Sequence, residues 1–245
     1  MNLSILLPTY NESKNIIDLL SEINRSLKNK KLSFECIVVD DNSPDNTYQL
    51  VVDKFKNDKK VVPLLRKKDH CLARSILEGI KKAKGENILI MDSDFNHDPK
   101  MIWQMYCLLE FYDLVVGSRF VYSGGMEETL RNKFSYLFNL FIRIILGTHI
   151  QDNLSGFFII NKKLLSPFAD KKIFTGYGEY FIKLLYRAKI AKYKIIEVPV
   201  YYNLRRHGKS KSNFLKMFIT YTNTVLEELI YEIRRTKSTK SIFNR

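Results

Sequence analysis

The sequence predicts an α/β protein built on a mostly parallel sheet flanked by helices. Three observations carry that prediction. Short apolar runs alternate with helix-period stretches from Leu3 onward, the pattern of strands joined by right-handed crossovers. The run Ile88-Leu89-Ile90-Met91 is continuously apolar, as befits a central strand covered on both faces. Polar residues follow each run at its carboxyl end, so the strand tips gather on one edge of the sheet.

In chain order, residues 3–7 read as a strand stopped by Pro8. Asn11-Glu12-Ser13 then supplies caps for a helix with Ile16, Leu20, Ile23 and Leu27 on one face. Residues 34–39 form the second strand, ending at Asp40-Asp41. Ser43-Pro44-Asp45 opens a second helix, with proline at an early position. A strand over 61–65, a helix over 72–83 closed by Gly85, and the strand over 88–91 complete the first half. Further strands are read at 114–117 and 195–200. Helices are read at 134–146, from an opening Gly176-Tyr177-Gly178-Glu179 to about Lys189, and over 212–235. Gly124-Gly125 marks a flexible loop.

Composition narrows the function classes. The 245 residues suffice for one large domain, and 45% hydrophobic content supports a real core. The net charge of +14 suits an anionic partner. Neither a Gly-x-Gly-x-x-Gly dinucleotide fingerprint nor a Gly-Lys-Ser/Thr phosphate loop is present. Cys36, Cys71 and Cys107 form no metal-like pair and point to a reducing compartment. The amino terminus lacks the pattern of a signal peptide. No stretch reaches the ~20 uncharged apolar residues of a span.

The chemistry starts where the apolar run over 88–91 stops, at Asp92-Ser93-Asp94. The carboxyl end of a central strand opens into the crevice where α/β sheets bind ligands. Two carboxylates there repel each other or share a cation. A hard divalent ion such as Mg²⁺ or Mn²⁺ takes oxygen ligands and keeps phosphates as co-ligands. Arg119, after a strand in Gly117-Ser118-Arg119, suits bidentate contact with a phosphate.

Several motifs occur together in order: Pro8-Thr9-Tyr10-Asn11-Glu12, Asp40-Asp41, Asp92-Ser93-Asp94-Phe95-Asn96-His97-Asp98-Pro99, Gly117-Ser118-Arg119, Asp152-Asn153-Leu154-Ser155-Gly156-Phe157, and Arg205 through Lys211. From about residue 2 to 212 the chain resembles the family 2 glycosyltransferases of the GT-A fold, and most of all the dolichol-phosphate or polyprenol-phosphate mannose synthases. The resemblance implies that Pro8, Tyr10 and Glu12 line the nucleotide base, with Val39 and Asp41 in the same site. It makes Asp92 and Asp94 metal ligands, joined by Asn96 where the family has glutamine. Arg205 and Lys211, which with Gly208 and Ser210 fit the family's Arg-x-x-Gly-x-Ser-Lys, become a clamp over the diphosphate. Arg119 and Arg131 would hold an acceptor phosphate, and Asp152 would serve as base or acceptor-positioning residue. His97 is read as a brace of its loop. Cys71 stands where the family usually has glycine.

The resemblance further implies transfer of a hexose to a polyprenyl phosphate with inversion, dependent on Mg²⁺ or Mn²⁺. GDP-mannose is the first candidate donor and UDP-glucose its competitor. A sugar-hydroxyl acceptor is the alternative that needs Asp152 as a true base, and a basic membrane or nucleic-acid binding module is the non-enzyme alternative. Carboxylates at several strand tips speak against nucleic acid. Residues 1–125 are read as the nucleotide-sugar and metal half, 126–211 as the acceptor half, and 212–245 as an amphipathic helix with a basic tail. The apolar stripe over 134–146 allows a core helix or an interfacial one, and the interfacial reading is favoured by the resemblance. The tail's Arg234, Arg235, Lys237, Lys240 and Arg245 would attract anionic lipid by about 1 kcal/mol per charge. The chain is thus read as cytoplasmic, peripheral on the cytoplasmic face of a membrane, with room for a separate membrane-anchoring subunit.

Overall fold

The computed structural model describes residues 1–127, 129–207 and 214–243. Along the chain lie β1 (Leu3–Thr9), α1 (Ile16–Leu27), β2 (Phe34–Asp40), α2 (Thr47–Lys54), β3 (Val61–Leu65), α3 (Leu72–Lys82), β4 (Asn87–Ile90), α4 (Met101–Leu108) and β5 (Leu114–Ser118). They are followed by β6 (Gly125–Met126), α5 (Thr129–Leu146), β7 (Phe158–Asn161), α6 (Lys162–Leu165), α7 (Glu179–Ile190), β8 (Ile195–Pro199), β9 (Tyr201–Tyr202) and α8 (Phe214–Phe243).

Seven strands form one sheet in the order β3-β2-β1-β4-β7-β5-β8. All neighbours are parallel except β7, which runs antiparallel to both β4 and β5. Successive strand side chains point to opposite faces. Ile5, Leu7, Val38 and Leu89 therefore pack with Ile16, Leu19 and Ile23 of α1 and Ile102 and Met105 of α4. Leu6, Ile37, Ile88 and Ile90 pack on the other face with Ile76 and Ile80 of α3 and Phe181 and Leu184 of α7. Both faces are covered, which is why the strands read as unbroken apolar runs. From β1 the chain moves outward to β2 and β3, then returns to β4 on β1's other side. Adjacent strands thus diverge at the carboxyl ends of β1 and β4, the topological switch point where such sheets bind ligands.

Several boundaries differ from the sequence reading. β1 continues through Pro8 to Thr9, because its pairing with β4 ends at Leu6 while that with β2 continues to Thr9↔Asp40. α2 starts at Thr47 rather than near Pro44. Asn46 sits in the left-handed region at φ 62°, and the Asp45 carboxylate takes the Thr47 N–H at 3.1 Å and its hydroxyl at 2.5 Å. Gly125 belongs to β6, which pairs with β9 in a small second sheet. The strand read at 195–200 divides into β8 and β9 around Val200. α4 and the antiparallel β7 have no counterpart among the elements predicted from the sequence. A third cluster joins Ile142 and Leu146 of α5, Ile182 and Tyr186 of α7, and Tyr221 and Val225 of α8.

α3 ends at Lys82 with Ala83 as its cap, and Gly85, two residues on, lies against the start of β1, where an added Cβ would lie 2.4 Å from the Ser4 nitrogen. That contact is backbone and cannot swing aside. Gly85→Ala should therefore cost about 1–3 kcal/mol, read as a lowered urea midpoint at unchanged slope.

Candidate active site

The segment after β4 bends around its own side chains. Phe95 adopts φ 70°, and Ser93 Oγ donates to the Pro8 carbonyl at 2.9 Å, tying the loop to β1. Asp94 is 4% exposed. Its carboxylate accepts the Asn96 N–H at 3.1 Å and the Asn96 side-chain amide at 3.3 Å. Arg205 Nε lies 3.0 Å from its Oδ2. Burial and then the neighbouring Asp92 push the Asp94 carboxyl up, while Arg205 opposes the rise. Burial also pushes Asp92 up, although its side chain, 41% exposed to the cleft, keeps water that counters the rise. Asp92 N–H donates to His97 Nδ1 at 2.9 Å. His97 stacks on Phe157 at 4.6 Å and meets the edge of Tyr202 at 4.7 Å. Burial pushes the His97 imidazole down to about 3, so the ring is neutral.

Among the described residues no group of three or more His, Cys, Asp or Glu side chains gathers as a metal cage. Two carboxylates and an amide nevertheless fit a hard divalent ion that keeps water and phosphate as its other ligands. The guanidinium on Asp94 shows that this spot accepts positive charge. Asn96 presents its amide nitrogen to Asp94 and so acts here as a brace of that carboxylate.

A cleft of about 410 Å³ runs from these carboxylates past the tips of β1 and β2, lined among others by Pro8, Tyr10, Glu12, Asp41 and Arg205. Glu12 accepts the Asn15 side-chain amide at 2.7 Å, and its N–H donates to Thr47 Oγ1 at 3.0 Å. Asp40 faces inward to Thr9 and Ser43, whereas Asp41 lines the cleft. Asp41 is held by Arg66, by Ser75 Oγ at 2.7 Å and by the Cys71 N–H at 2.9 Å. Cys71 has extended backbone at φ −168°, so glycine is not needed there. Its thiol donates to the Gly176 carbonyl at 2.9 Å.

Val39 is corrected. Its side chain is fully buried in the core cluster on the α3 face and does not line the cleft, because it alternates with Val38 and shares the α3-facing side of β2 with Ile37. His70, read from the sequence as a loop residue rather than a base, lines the cleft, as do Ser75 and Tyr177, which the sequence reading does not place there. Tyr177 had a signal, the Gly176-Tyr177-Gly178 turn before α7. The N–H groups of Tyr177 and Gly178 donate to Glu179 at 2.6 and 2.9 Å.

On the far side, Arg119 and Asp152 form one unit. Arg119 Nε and Nη2 donate to the two Asp152 oxygens at 2.8 and 2.7 Å, and the Arg119 N–H adds a bond at 3.0 Å. Asp152 is 0% exposed. Glu197 of β8 accepts the backbone N–H of Gln151 at 2.6 Å and of Asp152 at 2.9 Å, fixing the turn. Separate roles for a phosphate-gripping Arg119 and a freely acting Asp152 base thus give way to a buried, bidentate pair. Arg131 lies half-buried in the first turns of α5, with its charge felt at Asp92. Arg205 belongs to a strap laid over the carboxylates. Leu204 N–H donates to Glu127 at 2.6 Å, Arg206 pairs with Glu22 at 2.9 Å and covers Phe95 at 3.7 Å, and the His207 carbonyl accepts from Asn15 at 3.3 Å. Lys211, with Gly208 and Ser210, lies outside the described residues.

Removing one partner of a buried ion pair strands the other charge, at about 3–5 kcal/mol. Arg119→Met and Asp152→Asn should each destabilise by that order. The double variant should lose far less than their sum, as a denaturation double-mutant cycle would reveal. Additive losses would mean the pair is not formed in solution.

Comparison with known proteins bears on this geometry. The model of the Glycosyl transferase family 2 matches residues 4–167. A dolichol-phosphate mannosyltransferase of Pyrococcus furiosus is 31% identical over 216 residues, covering 86% of this chain and 59% of the relative. The chain thus spans about three fifths of that relative's length. The Saccharomyces cerevisiae dolichol-phosphate mannosyltransferase is 25% identical, covering 94% of this chain and 87% of its own. Among solved structures, glucosyl-3-phosphoglycerate synthase of Mycobacterium tuberculosis, in complex with Mn²⁺, UDP and glucosyl-3-phosphoglycerate, superposes with TM-score 0.69 at 19% identity, covering 93% of this chain and 80% of that one. At that identity the likeness concerns the fold. Sheet, strand-tip carboxylates and family match agree, and the chain belongs to glycosyl transferase family 2.

Proposed function

We propose that this glycosyltransferase moves a hexose, first of all mannose from GDP-mannose, onto a polyprenyl phosphate with inversion. The carrying observation is the Asp92/Asp94 pair at the switch-point cleft, with Arg205 against it, in a chain whose relatives are named dolichol-phosphate mannosyltransferases. Asp92 and Asp94, braced by Asn96, would hold Mg²⁺ or Mn²⁺, which supplies charge neutralisation for a leaving diphosphate. Pro8, Tyr10, Glu12 and Asp41 enclose the nucleotide. Arg205, with Lys211, meets the charge that builds on the diphosphate in the transition state.

The acceptor side needs positive charge rather than a strong base. A phosphate monoester has a second pKa of about 6 and arrives largely deprotonated at neutral pH. Arg131 orients it, beside the buried and mutually neutralised Arg119–Asp152 pair. A sugar-hydroxyl acceptor would need a free carboxylate base. The only candidate put forward for that task, Asp152, is sealed from solvent with both oxygens engaged by Arg119, which counts against that alternative. UDP-glucose remains the second donor to test, since structures of the similar fold were solved with UDP-glucose.

No helix among the described residues is long and apolar enough to cross a membrane. One face of α5 and α8 packs into the third cluster, so part of the apolar stripe is core. The opposite faces expose Leu130, Phe134, Leu137 and Ile144 of α5, at 59–72%, and Phe218, Ile219 and Ile230 of α8. A surface of that kind suits peripheral attachment to a lipid bilayer, placed here on the cytoplasmic face, where a lipid acceptor is presented. A membrane-anchoring subunit would dock on the same side.

Two tests follow. Labelled GDP-mannose and UDP-glucose, each offered with polyprenyl phosphate in vesicles, should give labelled lipid from GDP-mannose, with loss of product on adding EDTA or in Asp94→Ala. Undiminished turnover in EDTA would remove the metal from the proposal. In flotation assays the chain should bind anionic vesicles at low salt and release as salt rises. The double change Phe134→Asp with Leu137→Asp should reduce binding by at least about tenfold, the scale of losing two buried apolar side chains. Equal binding by that variant would return α5 to a purely structural role.

A further inference from the structure

The two candidate metal-binding carboxylates are supported unequally. Asp94 is gripped by two donors of Asn96 and by Arg205. Asp92 opens to the cleft. Among the described residues, the only Lys, Arg or His nitrogen within 4.0 Å of its carboxylate is His97 Nε2, 3.9 Å from Oδ2.

The tautomer of His97 follows from its hydrogen bond. Nδ1 accepts the Asp92 N–H at 2.9 Å and so carries no proton, which places the proton on Nε2. The flipped ring would leave the Asp92 N–H without this acceptor. Among the described residues Nε2 is buried with no hydrogen-bond partner. Such an unmet donor ordinarily destabilises a fold. Here it lies 3.9 Å from Asp92, the one of the two candidate carboxylates without a brace among the described residues. The ring cannot swing away, being stacked on Phe157 with its planes 9° apart and blocked by Tyr202. A plain loop brace would need only Nδ1, and a smaller amide could supply that.

We propose that His97 is a positioning residue for Asp92: Nδ1 fixes the backbone, and the Nε2–H orients the Asp92 carboxylate towards the cation shared with Asp94. It rests on the reading of Asp92 and Asp94 as metal ligands. Donors behind ligating carboxylates commonly tune metal affinity by 10–100-fold.

The test separates the two ring nitrogens. His97→Asn keeps an acceptor near Nδ1 and loses the Nε2 donor. His97→Gln restores a donor near Nε2 and gives up the Nδ1 acceptor. His97→Phe keeps the stacking and loses both. MnCl₂ is titrated into wild type and each variant, bound ion being read from the loss of the free-ion electron paramagnetic resonance signal, with thermal midpoints recorded in parallel. His97→Asn and His97→Phe should weaken Mn²⁺ binding by about tenfold or more, with His97→Gln staying close to wild type even where its midpoint falls. Wild-type binding by His97→Asn, or equal loss in His97→Asn and His97→Gln, would overturn the assignment. If wild type and Asp94→Ala take up Mn²⁺ alike, the metal reading itself fails and the role of His97 falls with it. Retained wild-type binding lost in Asp94→Ala, with all three His97 variants unaffected, would overturn His97 alone.

Discussion

Asp92 and Asp94 stand one residue apart in a cleft that Glu12 and Asp41 also line, and the repulsion among such carboxylates grows as water is excluded. The surroundings answer most of that charge with fixed cations: Arg66 on Asp41, Arg205 on Asp94, and Arg119 on the nearby Asp152. Asp92 is left with a neutral imidazole at 3.9 Å. The deficit lies where a nucleotide diphosphate and its cation would enter. The arginine on Asp94 belongs to the strap over residues 204–207, pinned through Glu22, Phe95 and Asn15. Charge at the strand tips thus governs the carboxylates, the resident arginines and the segment that carries Arg205. The net +14 of the chain is in this sense a surplus around an acidic centre.

The strands of the parallel half were legible because burial on both faces leaves continuous apolar runs. β2, β3 and β4 lie within a residue of their sequence positions, and α1 buries Ile16, Leu20, Ile23 and Leu27 together with Leu19. The run Phe157-Phe158-Ile159-Ile160 carried the same signal for β7, but composition does not reveal that a strand enters the sheet antiparallel. α4 escaped because only Ile102 and Met105 are fully buried, while Met101, Trp103, Tyr106 and Leu108 pack against the core only in part and blur the helical stripe. The strand-tip residues of the cleft were read from the motifs. What a one-dimensional pattern hides is which groups consume each other. Arg119 and Asp152 are 33 positions apart, and each looks available until they are seen locked together. Val39 stands in the same Val39-Asp40-Asp41 strand end as Asp41, but its side chain shares the α3-facing core side of β2 with Ile37. The departure at Cys71 brings no backbone strain, for a reason no sequence shows, its extended φ.

The two polar breaks in the apolar stripe of α5 have a common explanation. Asn139 is 1% exposed, a position where an unsatisfied amide would be destabilising. It is satisfied on both sides, accepting the Asn153 N–H at 2.6 Å and donating to the Ser135 carbonyl at 2.9 Å. Arg143, one helical turn on, donates to the Gln151 side chain at 2.6 Å. Both therefore reach the 151–153 turn, whose middle residue, Asp152, holds Arg119. The same interruptions that deny this helix the composition of a membrane span fasten it to the turn that carries the Arg119–Asp152 pair. On its outward face the helix presents Leu130, Phe134, Leu137 and Ile144, and near its start it carries Arg131, whose charge is felt at Asp92. A surface that settles on the outward face of α5 would lie one helix width and one hydrogen-bonded turn from the Arg119–Asp152 pair. Burying Asn139 and Arg143 towards that turn, rather than replacing them with leucine, gives α5 a fixed rotation. That rotation decides at once which side chains face outward and where Arg131 sits.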